Sequence, residues 1–298
     1  MSDVIRRPDL EEQEVTLPGY IIPEILPPLE KHQQAGTLYY WDYAADNTAQ
    51  SGRNTGTQAA ITNNKVAAST TTFACAEIRA RHSMSYSEVM GYKSLEHAEM
   101  ALGRMSKRSW YNKVEIDGAK ALLDVDSPTV ISTDILGGIE AAVGDLMDLA
   151  VGGIGIAMSN RNFISLKNTA TIQKRAQAFT TAVVDGKPAK VTPEAMAAVF
   201  GVDKVLVGTD ANWYTGLDAA DRDNIAVFVI PDKDVDCREQ IQLGRIVYYA
   251  WDGAAKHFIM ESFHDPMADI HVVDAKGLIT TKILNGELVK TLKLTANA

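Results

Sequence analysis

The densest gathering of side chains capable of chemistry lies near the C-terminus, where His257, Glu261, His264, Asp265, Asp269 and His271 fall close together. Imidazole and carboxylate are the ligand types of zinc and of harder divalent ions. Their spacing follows no pattern known to converge ligands on one ion, and polar edges of a β region account for the same residues, so no metal site is assigned. The glycines of VGGIGIAM, residues 151–158, come at a helix end and run into a strand. That is the reverse of the strand-to-helix order a dinucleotide fingerprint needs. No GxxxxGK[ST], GxSxG or HExxH occurs, so phosphate-loop, serine-hydrolase and zinc-protease chemistry find no support. No catalytic residue and no cofactor are expected.

Two cysteines, Cys75 and Cys237, form no CxxC pair or regular framework, which argues for neither a disulfide scaffold nor a zinc knuckle. Arg6 and Arg7 are followed by Pro8 and the acids Asp9, Glu11, Glu12 and Glu14, where a secretion signal requires an apolar stretch. The longest apolar runs fall far short of the ~20 residues that cross a bilayer. Assembly in a cytoplasm, away from any membrane, is the expectation.

One basic set stands out, Arg104, Lys107, Arg108 and Lys113. It has two readings: attraction to phosphate without sequence preference, or a solvated face pairing with Glu99 and Glu115. Trp110 and Tyr111 beside it read as packing residues. A net charge of −9 excludes a dedicated nucleic-acid-binding module, which is normally basic overall or along a stripe. It does not exclude a container whose inner face carries scattered cations.

The elements that must hold these residues follow from periodicity and punctuation. With 298 residues, 46% of them hydrophobic, the chain can bury a sizeable core. Residues 1–36 hold five of the ten prolines, which remove donors and fix φ, so neither helix nor central strand is expected. This is an extended arm. Its Leu17, Tyr20, Ile21, Ile22, Ile25 and Leu26 are too apolar for a solvated tail, so the arm should lie along a surface, its own or a neighbour's, and a neighbouring subunit is the expected one with docking on the same subunit as the alternative.

An aromatic strand, TLYYWDY, and a second from Thr70 to about His82 flank a long polar tip and form an extended hairpin. In the second strand Ala76, Ile78 and Ala80 alternate with Glu77, Arg79 and Arg81, the period of a half-buried strand. A tip of this length is uncommon inside a compact domain. From Ser94 to about Asp124 no proline interrupts one helix of about 45 Å. Its apolar seam is placed at 95, 98, 102, 105, 109, 112, 116, 119 and 123. Thr133 or Asp134 caps the next helix, and Thr192, Pro193 and Gly201 bracket a shorter one with the usual asymmetry of helix ends. IGIAM, KVLVG and NIAVFVI read as strands, as do RIVYYA, HFIMESF, ADIHVV, LITTKIL and ELVKTLKL. Asn285-Gly286 predicts a tight hairpin between the last two.

This order of elements resembles the Hong Kong 97-like capsid proteins. The stretches PEILPPLEKHQQAGTLYYWDY, SGRNTG, TTTFACAEIRARHSMSYSEV, NKVEIDGAKALLD and VTPEAMAAVFGVDKVLVG are similar to major capsid proteins of tailed bacteriophages. The resemblance implies an α+β fold with an N-terminal arm at 1–36, an extended loop at 37–86 and a peripheral domain with the spine helix at 87–128. An axial domain at 129–255 and returning strands at 256–298 complete it. It implies no enzyme but a coat protein, forming the hexamers and pentamers of an icosahedral virion shell around double-stranded DNA. Leu17, Tyr20, Ile22, Trp41, Arg53, Phe73, Arg79 and Arg81 would serve contacts between subunits, and Arg104, Lys107, Arg108 and Lys113 would face DNA. Some relatives carry a removable N-terminal scaffolding segment. Here the hairpin begins by residue 37, which implies a separate scaffolding protein, besides a portal and a possible decoration protein. Some relatives also cross-link through a loop lysine, for which Lys65 is the candidate, although no partner is identifiable. An encapsulin-like compartment shell shares the fold, and a soluble α/β enzyme is the reading from another class.

Overall fold

The computed structural model describes residues 4–17, 19–41, 69–132, 134–149, 152–179, 191–233, 241–251 and 257–295. In chain order the arm contributes β1 (Ile5–Arg6), α1 (Pro8–Glu12), α2 (Ile22–Ile25) and β2 (Pro28–Lys31). The hairpin strands β3 (Ala35–Tyr40) and β4 (Ser69–Ala74) come next, followed by β5 (Ala76–Ser85) and α3 (Tyr86–Val89). The spine is α4 (Leu95–Leu123). The central region holds β6 (Thr129–Ile131), α5 (Ile135–Met147), β7 (Ile154–Ser159), α6 (Asn160–Lys167), α7 (Ala170–Phe179) and α8 (Pro193–Phe200). After it come β8 (Lys204–Gly208), α9 (Asp210–Trp213), β9 (Asn224–Val229) and β10 (Gly244–Tyr249). The chain closes with β11 (Ile259–Asp265), β12 (Ile270–Ile283), a 3-10 turn at Gly286–Leu288 and β13 (Val289–Leu294).

Two sheets organise the core. The first is six-stranded, β1-β11-β12-β10-β2 with β5 on β12, and the second is five-stranded, β6-β13-β9-β7-β8. In the second, β7 and β9 are buried at every residue. Strands covered on both faces need continuous apolar sequence, which is what IGIAM and NIAVFV supply. Strands β7 and β8 run parallel, so the chain crosses over between them through α6, α7 and α8.

Helix ends form where the sequence offers local partners. The Ser94 hydroxyl accepts the His97 N–H at 3.3 Å, and the Asp134 carboxylate accepts the Gly137 N–H at 2.9 Å. Thr192 caps α8, with Pro193 in the first turn and Gly201 at φ 68° past its end, a left-handed conformation that glycine adopts without a Cβ clash.

The buried face of the spine shares Ala98, Leu102, Ala119 and Leu123 with the expected seam and departs from it at the other positions. Leu95 and Met105 are 51% and 41% exposed, while Ala98, Leu102, Ser106, Trp110, Val114, Gly118 and Leu122 are buried, as are Glu99, Gly103, Lys107, Glu115, Ala119 and Leu123. Both rows step by four, the second passing through half-buried Tyr111, and each such step advances about 40° around an α-helix. The covered stripe therefore winds. Its first half meets the first sheet, where Ser106 Oγ donates to the Val273 carbonyl at 2.8 Å. Trp110 lies so close to Gly277 that a Cβ there would sit 2.7 Å from the indole. Its second half meets the arm and the second sheet, with Ile22 against Gly118 and Thr291 on the Leu123 carbonyl.

Four further expectations are corrected. ADIHVV and LITTKIL are one 14-residue strand, β12, continuous through Gly277. Asn285-Gly286 makes no hairpin, because β12 and β13 belong to different sheets. Asn285 holds φ −124° and its Nδ2 donates to the carbonyls of Trp41 and Gln242. The strand expected from Thr70 to His82 divides at Cys75, with β4 pairing β3 and β5 pairing β12. The arm is not free of secondary structure: Pro8 and Pro23 sit in first helical turns, where a missing N–H costs nothing, and Pro28 begins a strand at the sheet edge.

Candidate functional site: the docked arm and the exposed groove beside it

The arm lies on its own subunit. Leu10, Ile21, Ile22, Ile25 and Leu26 are at most 6% exposed and join the main core. Covering each large apolar side chain favours docking by about 1.5–3 kcal/mol, against about 1–2 kcal/mol of backbone entropy per ordered residue. The expectation that a neighbour covers these residues is corrected: the winding stripe of the spine already offers them an apolar surface.

Buried charges fix the register of this docking. Fully buried Glu11 takes Arg6 in a two-point ion pair at 3.0 and 3.1 Å and also accepts the Met260 N–H at 3.2 Å. Lys107, 2% exposed, donates to the carbonyls of Glu11 at 2.8 Å and Gln13 at 2.5 Å. Arg7 pairs with Glu99, whose other oxygen lies 2.7 Å from His271 Nε2. Burial, then His264 and Arg7, lower the His271 pKa. The Glu99 carboxylate can only accept, so Nε2 of His271 is the donor in this contact.

Farther along the spine, Glu115 Oε1 accepts from the Ile21 N–H at 3.0 Å and from Trp213 Nε1 at 2.6 Å, and Oε2 accepts from the Ile22 N–H at 3.1 Å. Burial pushes the Glu115 carboxyl up to about 7, against the lowering effect of those three donors. Tyr20 and Tyr248 are raised by the same burial. Tyr20 also meets Tyr111 edge-on at 5.2 Å, and Trp110 packs 4.9 Å from Phe258.

The structure disperses the sequence-predicted contact residues. Ile22 and Phe73 are core residues, the latter with Leu38, Val247 and Leu284, so their side chains serve the fold and cannot present to a neighbour. Leu17 lines a groove under the arm with Lys107 and Tyr111, and Tyr20 lies in the aromatic cluster. The Trp41 carbonyl is held by Asn285. Arg81 grips Asp274 at 2.8 and 2.9 Å, and Arg79 approaches the same carboxylate at 3.6 Å. Arg53 and Lys65 lie outside the described residues. Of the basic set, Arg104, Arg108 and Lys113 are exposed, and Lys113 pairs with Asp117 at 2.7 Å. Lys107 is corrected: it holds the arm and faces no solvent.

The C-terminal histidines part company as well. His257 lies 3.1 Å from Glu30 and stacks on Tyr248, whereas His264 and His271 sit opposite each other on β11 and β12. Among the described residues no three potential ligands converge. What sequence reading missed is the row Glu99, Lys107, Glu115, each eight positions apart on the covered stripe. Tracing the helix at four-residue steps would have exposed charges in an otherwise apolar row.

Beside this network opens a groove of about 530 Å³, lined chiefly by Ile5, Tyr86, Val89, Leu95, Phe263 and Pro266, with Glu99 and His271. Ile5, Tyr86 and Leu95 are more than half exposed, and Met90 and Met267 nearby reach 69% and 98%. A gathering of large apolar side chains on a surface marks an interaction site.

No family model matches the sequence, and no curated protein does. Solved structures do match across nearly the whole chain. A phage-related protein from Bordetella bronchiseptica is 12% identical, with 98% of this chain and 97% of that one covered at a TM-score of 0.69. The capsid of cyanophage P-SCSP1u is 10% identical over 95% and 90% of the two chains, TM-score 0.58. A virus-like particle from Pyrococcus furiosus is 9% identical over 96% and 95%, TM-score 0.55. The chain has the mixed α+β fold of these phage capsid and particle subunits.

Proposed function

We propose that this chain, sharing a fold with phage capsid subunits from end to end, is the major capsid protein of a tailed bacteriophage. The observation that carries the reading is the two-way coverage: the likeness takes in 98% and 95% of this chain and 97% and 90% of the two matched chains. The exposed groove supports it, since a lone subunit has no use for Leu95, Met90 and Met267 in water. Function is then self-association, not turnover, and no residue is assigned a catalytic role.

In Hong Kong 97-like terms, the second sheet with its helices is the axial domain, and the first sheet with the spine is the peripheral domain. The expected partition at 87–128, 129–255 and 256–298 takes three adjustments, the first being that β13, within 256–298 and expected in the peripheral domain, goes to the axial domain because it pairs with β9 and β6. The extended loop is narrowed from 37–86 to 35–74, because β5 pairs along β12. Strand β10 goes to the peripheral domain, because it pairs with β12 and β2. Hexamers and pentamers, a separate scaffolding protein, a portal, a possible decoration protein and enclosed double-stranded DNA are the partners of this reading. The virion capsid is its location, after assembly in the host cytoplasm.

The likeness to the Pyrococcus virus-like particle favours one alternative, a compartment shell without a genome. Negative-stain electron microscopy of the purified full chain tests the main reading: closed shells or ring-shaped capsomers are expected. A monomer that persists at high concentration and at every ionic strength would overturn it, and particles devoid of nucleic acid after expression with the other phage components would favour the compartment.

A further inference from the structure

The parallel strands β7 and β8 of the second sheet end at one edge, and open α/β sheets bind ligands outside the carboxyl ends of such strands. A polar groove of about 450 Å³ lies there, lined in part by Arg161, Asn162, Ser165, Asn168, Thr169 and Tyr214. The Arg161 guanidinium sits 4.6 Å from the Tyr214 ring centroid, and that of Arg222 reaches the same ring at 5.9 Å. Attraction to the ring's negative face accounts for each contact singly. It does not account for the pair. Neither guanidinium has a carboxylate partner among the described residues, and Arg222 Nε is buried without a hydrogen bond.

Aspartates of this region keep their negative charge while accepting from other groups. Asp210 accepts the Arg161 backbone N–H at 2.7 Å, and Asp221 accepts Asn224 Nδ2 at 3.2 Å, which leaves Asp223 on the groove wall. Lys293, donating to the Ala220 carbonyl at 3.0 Å, brings a third cation to the loop that carries Arg222. Two guanidinium groups on one ring concentrate positive charge at the edge of the groove, which an anion bound there would offset. A phosphate suits the arrangement better than a carboxylate, because its several oxygens can engage two planar donor forks at once. The Ser165 hydroxyl and the Asn168 amide offer neutral donors along the groove wall, whereas the Thr169 hydroxyl donates to the Ser165 carbonyl at 3.4 Å.

We propose that Arg161, Tyr214 and Arg222 form a phosphate-binding site at the carboxyl edge of the second sheet, and that its ligand is the phosphodiester backbone of enclosed duplex DNA. The site stands on the geometry alone, whereas the duplex as its ligand rests on the capsid reading. This moves the DNA contact away from the spine, where Lys107 is buried and Lys113 is paired.

The test titrates a fluorescently labelled 20-base-pair duplex and, separately, inorganic pyrophosphate against the full unassembled chain. The proteins are wild type, R161Q/R222Q, R161K/R222K and, for comparison, R104Q/R108Q. R161Q/R222Q is expected to weaken duplex binding at least tenfold and to flatten the slope of log K against log salt by about 2, the counterion release of two phosphate contacts. R161K/R222K should restore the slope with only part of the affinity, and R104Q/R108Q should change neither. Pyrophosphate binding that R161Q/R222Q abolishes, without duplex binding by any variant, would support the site and overturn the duplex as its ligand. Equal affinity and equal salt slope in wild type and R161Q/R222Q would overturn the proposal, whether or not the chain assembles into shells.

Discussion

Replacing Glu115 with Gln isolates the cost of an ionised carboxylate at the junction of arm, spine and second sheet. The folded-state carboxyl titrates near 7 against an ordinary 4.5, so the native state binds this proton more tightly than the unfolded chain. The contribution is present in full below about 4.5 and is lost as pH rises to about 7. At about 1.4 kcal/mol per unit, the loss amounts to roughly 3 kcal/mol. Gln has nearly the same shape and does not titrate; its oxygen can accept from Ile21 and Trp213, while its amide nitrogen faces the Ile22 N–H, a cost that does not vary with pH. Urea unfolding of the unassembled chain, followed by tryptophan fluorescence at pH 4.5, 5.5, 6.5 and 7.5, gives the two stability curves. Other titrating groups are common to both proteins and cancel in the difference. The advantage of E115Q over wild type is expected to grow by about 3 kcal/mol between pH 4.5 and 7.5. A difference that stays flat, or that grows toward acid, would refute burial as the dominant influence on Glu115.

Three further outcomes are expected. Ile22→Ala, at a fully buried position, should lower the stability of the isolated subunit by about 2–5 kcal/mol; no loss in the monomer would show that the arm's docking is not intramolecular. Gly277→Ala would set a Cβ 2.7 Å from Trp110 and should cost about 1–3 kcal/mol through overpacking, read as a lower urea midpoint. Leu95→Asp, in the exposed groove, should leave the monomer's unfolding nearly unchanged and reduce particle yield in electron microscopy; normal yields would remove the groove from the assembly surface.

Much of the secondary structure was legible because its determinants are local. Ser94, Asp134 and Thr192 each accept an N–H three residues ahead, so a short window of sequence contains both donor and acceptor. Strands β7 and β9 announced themselves as unbroken apolar runs because they are covered on both faces. The order of these elements carried the likeness to capsid proteins even at 9–12% identity in the three matching structures described above, since topology outlasts side-chain identity.

Tertiary structure decided which surface each element found. Asn285-Gly286 has the composition of a hairpin, but its flanking strands were drawn into different sheets, and Asn285 became a bracket for Trp41 and Gln242. The arm's apolar residues signalled burial without naming the partner, because a side chain's hydrophobicity has no direction, and the answer depended on a stripe of the spine that winds with the helix. Glu99, Lys107 and Glu115 were read as solvated or paired charges. They are tolerated inside only because backbone groups of the arm and the side chains of Arg7, His271 and Trp213 arrive from distant parts of the chain to bind them. Local sequence sets which elements form, since a cap or an alternation is satisfied within a few residues. Their faces, and the fate of every buried charge, are set by partners that the chain brings together only on folding.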